Sequence, residues 1–366
     1  MKLNISKSEL AHALSLVARA TSNRPTIPIL SGILIQATNQ EISFFSTDLE
    51  TSIKTSAAGL VEQEGSVVVP AKMFSEIIRS LPESSILLET VSQSLAIKAH
   101  QSSFTIRTLP AEDFIKFPDI EGIESVTLPV SELAEMTRKV SRVVGKDETR
   151  AVLTGILLQI GGGIIKMVAT DSYRLAIVEK QTDQEGAKIE FEALIPGRSL
   201  DDVVKMADKN DNIEITLTSN QVRFIFGNTT LVTRRIEGNY PNYQNLLPDS
   251  HNLKVTLATE EILEAAKRVA LVAANNTAVK LSVSVEEQAL VLTAQSADVG
   301  QGEEVIMAKA EGEDREISAN PTYLADGLTV INDEFITLEI QEAMKPGIIR
   351  AEEGGYLYLF MPVRPS

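Results

Sequence analysis

The sequence predicts three domains of one α+β class, each with two helices and antiparallel sheets. Three observations lead to this prediction. The chain has 366 residues, which exceeds what one hydrophobic core usually organises. Similar segments recur along it at intervals of more than a hundred residues. Each recurrence combines helix periodicity and strand alternation in the same order.

A helical segment opens each copy. The windows align without gaps: ISKSELAHALSLVAR begins at Ile5, LPVSELAEMTRKVSR at Leu128 and LATEEILEAAKRVAL at Leu257. Ser6 and Glu9 have the spacing of a capping box, which predicts the start of the first helix. Apolar residues at helical spacing are expected to face the core: Leu10, Leu14, Val17, Leu133, Met136, Val140, Ile262, Ala266 and Val269.

A hairpin pattern follows each first helix, as SGILIQATNQEISFFS, TGILLQIGGGIIKMVAT and VKLSVSVEEQALVLTA. The triple glycine at 161–163 is predicted to be a hairpin turn, because a phosphate loop would need a following lysine and helix. Second helices are predicted at VPAKMFSEIIRSLP, IPGRSLDDVVKMAD and ISANPTYLADGLTVI. The exits FIKFPDIEG and NYPNYQNLLP predict domains 1–121, 122–249 and 250–366.

Charge and composition exclude several classes of protein. The chain has 34 basic and 50 acidic residues, a formal net charge of −16, so it should not bind nucleic acid or anionic lipid over its whole surface. It has no cysteine, which excludes disulfides and thiolate metal sites. Since no signal sequence or membrane span is evident, we expect a cytoplasmic protein.

Basic residues recur in register on the predicted helices. Lys72 and Arg79 match Arg198 and Lys205 on the second helices, and a separation of seven places each pair on one helix face. On the first helices, the adjacent pair Arg138 and Lys139 matches Lys267 and Arg268. Solvated helix faces would explain any one of these residues, but the recurrence favours a basic surface for duplex phosphate, read without sequence preference.

The sequence contains no recognisable catalytic motif. His12, His100 and His251 are not at metal-ligand spacing, and the motifs of zinc proteases, serine hydrolases and nucleotide-binding loops are missing. Asp201 and Asp202 are expected to favour a helix start rather than to form a catalytic pair. We therefore expect a protein that is not an enzyme and has no cofactor.

Six segments resemble the bacterial DNA polymerase III beta subunit, the sliding clamp family: RPTIPIL at 24–30, TDLE at 47–50, TLPAEDF at 108–114, VATDSYRLA at 168–176, YPNYQNLLP at 240–248 and FMPVR at 360–364. The resemblance covers the whole chain. It implies three repeated clamp domains and a head-to-tail homodimeric ring, with helices lining a central hole for double-stranded DNA. It also implies that the replicative polymerase, the clamp loader and repair proteins bind through short peptide motifs.

The resemblance implies a hydrophobic pocket for these peptides. Its residues here are Leu153, Thr170, Ser172, Tyr173, Arg174, Leu175, Pro241, Asn245, Leu246, Asn320, Tyr323, Pro346, Leu359, Met361, Pro362, Val363 and Arg364. Leu153 and Leu175 could instead belong to the core, and Asp171 could cap its own turn. Ser172 and Tyr173 replace the usual glycine and histidine, and Asn245 replaces a frequent arginine, so peptide preference is expected to differ.

The resemblance also implies a DNA-binding set and a dimer seam. The DNA set adds loop residues to the helix residues: Arg24, Lys72, Arg79, Arg138, Lys139, Lys146, Arg150, Arg198, Lys205, Lys267 and Arg268. The seam would join Phe104 and Ile106 to Leu271 and Val272, with acidic residues Glu303 and Glu304. Because Gln101 and Ser103 stand where positive charge is usual, we expect a mainly apolar seam. The alternatives are an acidic peptide-binding scaffold that does not encircle DNA, and an enzyme with a pocket beside Tyr173 and Arg174.

Overall fold

A computed structural model describes all residues except 23–26, 39–40, 119, 121–123, 182–190, 249, 274–277, 352, 354 and 365–366. Within the described residues the chain runs through a similar order of elements three times, with five, four and five strands between the two helices of a copy. Each run begins with a strand and a helix, and a second helix precedes its last three strands. The predicted α+β class and the threefold internal repeat are confirmed.

The first copy has strands β1 (Lys2–Ser6), β2 (Gly32–Thr38), β3 (Glu41–Thr47), β4 (Thr51–Ala58), β5 (Leu60–Gln63), β6 (Gly65–Pro70), β7 (Ser85–Val91), β8 (Ser94–Ala99) and β9 (Ser102–Arg107). Its helices are α1 (Lys7–Val17) and α2 (Ala71–Ser80). Ser6 caps α1, because its side chain accepts a hydrogen bond from the backbone N–H of Glu9. The predicted start of this helix is confirmed.

The second copy has strands β10 (Glu124–Pro129), β11 (Gly155–Gly161), β12 (Ile164–Thr170), β13 (Arg174–Gln181), β14 (Phe191–Pro196), β15 (Asn212–Leu217), β16 (Gln221–Phe226) and β17 (Thr229–Arg234). Its helices are α3 (Val130–Val140) and α4 (Gly197–Met206). Gly162 and Gly163 have φ of 58° and 77°, the left-handed values of a tight hairpin turn. The triple glycine is therefore a turn between β11 and β12, as predicted.

The third copy has strands β18 (Leu253–Ala258), β19 (Val279–Ser284), β20 (Ala289–Ser296), β21 (Gly300–Met307), β22 (Lys309–Gly312), β23 (Arg315–Ala319), β24 (Phe335–Ile340), β25 (Gly347–Ala351) and β26 (Tyr356–Phe360). Its helices are α5 (Thr259–Ala270) and α6 (Pro321–Thr329). The nine apolar residues predicted on the first-helix faces of the three copies are all buried. Burial of these faces against the sheets is the main source of stability for helices of this length.

The chain divides into two compact units, and the first comprises Met1–Leu133 and Arg198–Arg235. It contains a five-stranded sheet in the order β5-β1-β7-β8-β9. Its second sheet has eight strands in the order β10-β15-β16-β17-β4-β3-β2-β6. This sheet joins two copies of the repeat through antiparallel pairing of β17 with β4, where Thr233 lies opposite Thr51.

The second unit comprises Ala134–Gly197 and Ile236–Ser366. Its nine-stranded sheet has the order β14-β11-β12-β13-β26-β25-β24-β18-β22, and a separate four-stranded sheet has the order β21-β20-β19-β23. The larger sheet joins the second and third copies through antiparallel pairing of β13 with β26, where Arg174 lies opposite Phe360. The start of β13 and the end of β26 therefore meet beside the candidate pocket.

Candidate functional site

The turn between β12 and β13 is built by its own side chains. Asp171 Oδ1 accepts hydrogen bonds from the backbone N–H groups of Tyr173, at 2.9 Å, and Arg174, at 3.1 Å. The hydroxyl of Thr170 donates to the Arg174 carbonyl at 2.8 Å. Ser172 has a φ of 80°, a left-handed value that costs a non-glycine residue about 1 kcal/mol. These hydrogen bonds explain why a run of polar residues, 170–174, lies between two apolar strand segments.

The same turn occurs in the first copy, between β3 and β4. Asp48 Oδ1 accepts from the N–H of Glu50 at 3.0 Å and of Thr51 at 2.7 Å. Leu49 has the same φ of 80° as its counterpart in the second copy. The Thr-Asp pairs of both copies therefore stabilise hairpin turns, and the alternative that Asp171 caps its own turn is confirmed.

Arg174 is a buried arginine with two carboxylate partners. Only 9% of the residue is exposed. Its Nε lies 3.0 Å from Asp171 Oδ2, and its Nη1 lies 2.7 Å from Asp326 Oδ2. Burial opposes the charged form, but the bonds from these carboxylates outweigh it and raise the pKa of Arg174 above its ordinary value. The residue stays ionised and held in place.

Several large apolar side chains of this unit are exposed. Tyr173 is 60% exposed, Leu246 44% and Met361 37%. The chain segment after β26 runs beside them, because the N–H of Met361 donates to the Tyr173 carbonyl at 2.8 Å. The N–H of Val363 donates to the Ser318 carbonyl at 2.8 Å, which ties the same segment to the third copy. We call Tyr173, Leu246, Tyr323 and Met361 the aromatic rim.

The structure brings the other predicted pocket residues to the same unit with different exposures. Ser172, Pro241, Asn245 and Arg364 are exposed, whereas Asn320, Tyr323, Pro346, Pro362 and Val363 are half-buried. The side chain of Asn320 caps α6 by accepting from the N–H of Thr322 at 2.9 Å. The Oδ1 atom of Asn320, a residue predicted at the pocket margin, therefore already accepts a hydrogen bond within the protein.

Four predicted pocket residues besides Arg174 are buried. Leu153, Thr170, Leu175 and Leu359 are at most 3% exposed. Leu175 and Leu359 lie opposite each other on β13 and β26, in a core cluster that also holds Tyr243. Neighbouring side chains cover these residues in this structure, and their contact with a peptide stays a prediction. The alternative that they belong to the core is correct for Leu153 and Leu175.

Most predicted DNA-binding residues are exposed. The exposed members are Lys72, Arg79, Arg138, Lys146, Arg150, Arg198, Lys205, Lys267 and Arg268. Some of them already make contacts: Arg138 donates to the Val330 carbonyl at 3.0 Å and Lys267 pairs with Glu264 at 2.8 Å. Arg150 donates to the hydroxyl of Ser172 at 2.7 Å, which places it beside the pocket turn. Arg24 lies outside the described residues.

Lys139 is buried, unlike the other basic residues predicted on the first helices. Its side chain is 3% exposed and its Nζ lies 3.0 Å from Glu135 Oε1, one turn earlier on α3. Glu135 also bonds Lys180. Burial opposes ionisation of Glu135, but these lysine bonds outweigh it and keep its pKa below the ordinary value. This burial argues against a DNA contact of Lys139, because neighbouring helix positions face different directions.

Four of the predicted seam residues lie on β9 and β21, which are edge strands of their sheets. The other two, Leu271 and Val272, follow α5. Phe104 is 39% exposed on β9, and Leu271, which follows α5, is 79% exposed. Ile106 is only 5% exposed, so its side chain packs mainly in the core of its own copy, and its place in the seam stays a prediction. Val272 lies against Gly302 of β21, since a Cβ there would be 3.1 Å from its Cγ2.

Arg268 and Glu304 were predicted for different sites but bond each other. The Arg268 Nε lies 2.7 Å from Glu304 Oε1, and its Nη2 lies 2.9 Å from Oε2. The bond from this arginine lowers the pKa of Glu304. Glu303 stands next to the pair on β21. Arg268 therefore already contacts the predicted seam strand, and its contact with DNA stays a prediction.

Two residues with contacts to the site were missed by the sequence analysis. Asp326 on α6 accepts from Arg174, and Arg142 lies 3.1 Å from its other oxygen. No spacing rule connects them, because 152 residues separate Asp326 from Arg174. Across the described part of the chain, no group of three or more His, Asp or Glu side chains could hold a metal ion. None of the helices in that part is long and apolar enough to span a bilayer.

Comparison with known proteins matches all three copies. The family models of the DNA polymerase III beta subunit match residues 1–118 for the N-terminal domain, 127–242 for the central domain and 244–364 for the C-terminal domain. The beta sliding clamp of Streptomyces coelicolor is 33% identical over 100% of both chains. The crystal structure of the Bacillus subtilis DNA polymerase sliding clamp superposes with a TM-score of 0.96, at 32% identity over 100% of both chains.

A DnaN sliding clamp from Pseudomonas aeruginosa, solved bound to griselimycin, superposes with a TM-score of 0.93. It is 27% identical, over 100% of this chain and 99% of the other. The repeated fold and these matches define a DNA sliding clamp, a processivity factor with three clamp domains and no catalytic activity. The chain belongs to the DNA polymerase III beta subunit family.

Proposed function

We propose that two copies of this clamp close head to tail into a ring around duplex DNA, through pairing of β9 of one copy with β21 of the other. The observation that carries this proposal is a rule of strand pairing. Each junction between copies of the repeat pairs the last strand of one with the fourth strand of the preceding one, β17 with β4 and β26 with β13. The remaining last strand is β9 and the remaining fourth strand is β21, and both are sheet edges. The same pairing between two chains would close a symmetric ring of six domains.

The two internal junctions also predict the register of the seam. In both, the first residue of the fourth strand lies opposite the fifth residue of the last strand: Thr51 opposite Thr233, and Arg174 opposite Phe360. Gly300 is the first residue of β21 and Ile106 the fifth of β9. The seam would therefore place Ser103 opposite Glu303, and Phe104 opposite Gly302 beside Val272. A phenyl ring over a glycine supports a mainly apolar seam.

We assign DNA contact to Arg24, as expected from the sequence, and to the exposed basic residues Lys72, Arg79, Arg138, Lys146, Arg150, Arg198, Lys205 and Lys267. Contacts of this kind are to phosphate and carry no sequence preference. The net charge of −16 would repel DNA elsewhere on the chain. Retention then depends on closure of the ring, and weak phosphate contacts permit sliding.

We assign partner binding to the aromatic rim, with Pro241, Asn245, Pro362 and Val363 beside it. A partner peptide that buries one or two large side chains there would gain about 1.5 to 3 kcal/mol for each. This suits exchange among the polymerase, the clamp loader and repair proteins. We also propose domain boundaries at 1–121, 122–249 and 250–366, and a cytoplasmic location.

Cysteine cross-linking tests the seam, because the natural chain has no cysteine. Ser103→Cys combined with Glu303→Cys should give a covalently closed dimer under mild oxidation. The control, Ser103→Cys with Met307→Cys, displaces one thiol by four residues, about 13 Å, and should not cross-link. Equal cross-linking of both variants, or none, would contradict the register.

The same variant tests encirclement. The ring is placed by its loader on nicked circular DNA, cross-linked, and separated from free protein by gel filtration. The cross-linked ring should remain with the circle at high salt and run off once the circle is cut. An acidic peptide-binding scaffold would show no dependence on DNA topology, and that outcome would reject the clamp mechanism.

A further inference from the structure

An arginine of one copy and an aspartate of the next copy form an ion pair at each of the two junctions within the chain. Arg19 Nη1 lies 2.7 Å from Asp202 Oδ1, although 183 residues separate them. Arg142 Nη1 lies 3.1 Å from Asp326 Oδ1, across 184 residues. The first pair lies within the first compact unit and the second pair within the other. The two ion pairs therefore join the first copy to the second and the second copy to the third.

The two ion pairs use equivalent positions of the repeat. Arg19 and Arg142 are the last residues of the aligned windows that open the first two copies. Asp202 and Asp326 are each the sixth residue of a second helix, α4 or α6. The strands at these two junctions also pair in the same register. We call this contact the junction ion pair, because it recurs with the repeat.

At the proposed seam, the equivalent residues are Leu271 and Glu76. Leu271 is the last residue of the aligned window in the third copy and is 79% exposed. Glu76 is the sixth residue of α2 and is also exposed. A seam built like the internal junctions would place Leu271 beside Glu76 of the other chain. The acid is thus retained at this position, whereas a leucine replaces the arginine.

Other charged groups surround these two positions. Lys72 and Arg79 are exposed on α2, one helical turn before and one after Glu76. Across the seam, Arg268 lies one turn before the leucine, but its Nε and Nη2 already bond Glu304. These groups reduce the field of the Glu76 carboxylate, but none of them occupies the arginine position of the repeat. Pairing between positions 271 and 76 must therefore be measured by difference.

We infer that the seam lacks the junction ion pair that stabilises both internal junctions, because Leu271 has replaced its arginine and Glu76 of the other chain has no partner at that position. This inference rests on the proposed ring. The internal junctions combine strand pairing, an ion pair and a continuous chain, whereas the seam has strand pairing and apolar contact. The two chains can then separate without the loss of an ion pair at this position.

A double-mutant cycle on the full-length dimer tests this inference. The four proteins are the natural chain, Glu76→Gln, Leu271→Arg and the double variant, and sedimentation equilibrium measures their dimer dissociation constants. In the natural protein, Glu76→Gln should change the constant less than about threefold, since it removes no ion pair. With Leu271→Arg, the same change should raise it about tenfold further, because the restored pair occurs at both seams.

The cycle separates charge pairing from the apolar contact that is lost with the leucine. Leu271→Gln is the matched control, because it removes the leucine without adding a charge, and it should show no coupling to Glu76→Gln. Raising the salt to about 1 M should reduce the coupling of the Leu271→Arg pair, since salt screens a partly exposed ion pair. Circular dichroism checks that each variant is folded.

Cross-linking measures proximity should Leu271→Arg prevent dimerisation. Leu271→Cys with Glu76→Cys should give a covalent dimer with a short bis-maleimide. This reagent is used because an arginine and a carboxylate in contact can have backbones too far apart for a disulfide. The control is Leu271→Cys with Leu60→Cys, which should not cross-link. Leu60 is 60% exposed on β5, at the opposite edge of its sheet from β9.

The outcomes distinguish this inference from the proposed seam. A dimer of folded Leu271→Arg chains in which Glu76→Gln has the same effect as in the natural protein would overturn the inference alone. Equal cross-linking of the two cysteine pairs would do the same. A tenfold effect of Glu76→Gln in the natural protein would also overturn it, since Glu76 would then already have a partner. Failure of the Ser103→Cys and Glu303→Cys cross-link would instead overturn the seam itself.

Discussion

Asp171 stabilises both the hairpin turn and the ion pair with Arg174. Its Oδ1 accepts from two backbone N–H groups of the turn, and its Oδ2 pairs with Arg174. Asp48 accepts from the two equivalent N–H groups, but the residue equivalent to Arg174 is Thr51. One of the two turns therefore has an ion pair and the other does not. Comparing them separates the contribution of the turn hydrogen bonds to stability from that of the ion pair.

We predict that Asp171→Ala lowers the free energy of unfolding of its unit by about 2 to 4 kcal/mol, because a buried arginine also loses a partner. Asp48→Ala should cost only the turn bonds, about 1 to 2 kcal/mol. Chemical denaturation followed by circular dichroism measures both. Equal losses would mean that the Asp171–Arg174 ion pair adds nothing to stability.

At the scale of elements, α6 is packed unusually closely on the last strand. A Cβ on Gly327 would lie 2.5 Å from the ring carbon Cδ1 of Tyr358, a fully buried side chain of β26. Tyr358 cannot move away easily, because its hydroxyl bonds the Tyr323 carbonyl. The glycine allows the close approach that puts Tyr323 at the rim.

We predict that Gly327→Ala destabilises the protein by about 1 to 3 kcal/mol through overpacking. Helix propensity alone would predict the opposite, a gain of about 1 kcal/mol. The variant should also weaken peptide binding, since a displaced α6 moves Tyr323. Thermal unfolding and peptide titration measure the two effects, and a stabilised variant with unchanged affinity would refute the packing argument.

At the scale of the whole molecule, the proposed ring depends on a seam with little charge complementarity. Glu304 is already paired with Arg268 of its own copy, and Phe104 and Leu271 expose apolar surface beside the seam strands. Apolar contacts are insensitive to ionic strength, whereas exposed ion pairs are screened within about 10 Å at 0.1 M salt.

We predict that Phe104→Ala raises the dimer dissociation constant on the order of tenfold or more. Phe335→Ala is the matched control, because this phenylalanine is 53% exposed on β24, away from the proposed seam, and should leave dimerisation unchanged. Sedimentation equilibrium measures both. In the natural protein, raising the salt from about 0.1 M to about 1 M should change the constant less than about tenfold; a steeper change would indicate a seam dominated by ion pairs.

Features that depend on neighbours along the chain could be predicted from the sequence. Helix faces such as Leu10 and Leu14, the glycine turn at 161–163 and the order of elements in each copy follow from periodicity, and all are observed. The Thr-Asp turns are also local, because each carboxylate bonds N–H groups two or three residues later.

Which of those side chains are accessible to a ligand depends on tertiary packing, and the sequence did not predict it. Lys139 and Arg138 are adjacent, yet packing buries one and exposes the other. Leu175 and Leu359 are covered by the junction of two copies, and Arg174 is held by Asp326 from 152 residues away. Burial and pairing at such distances depend on how sheets of different copies join, and local periodicity carries no information about that.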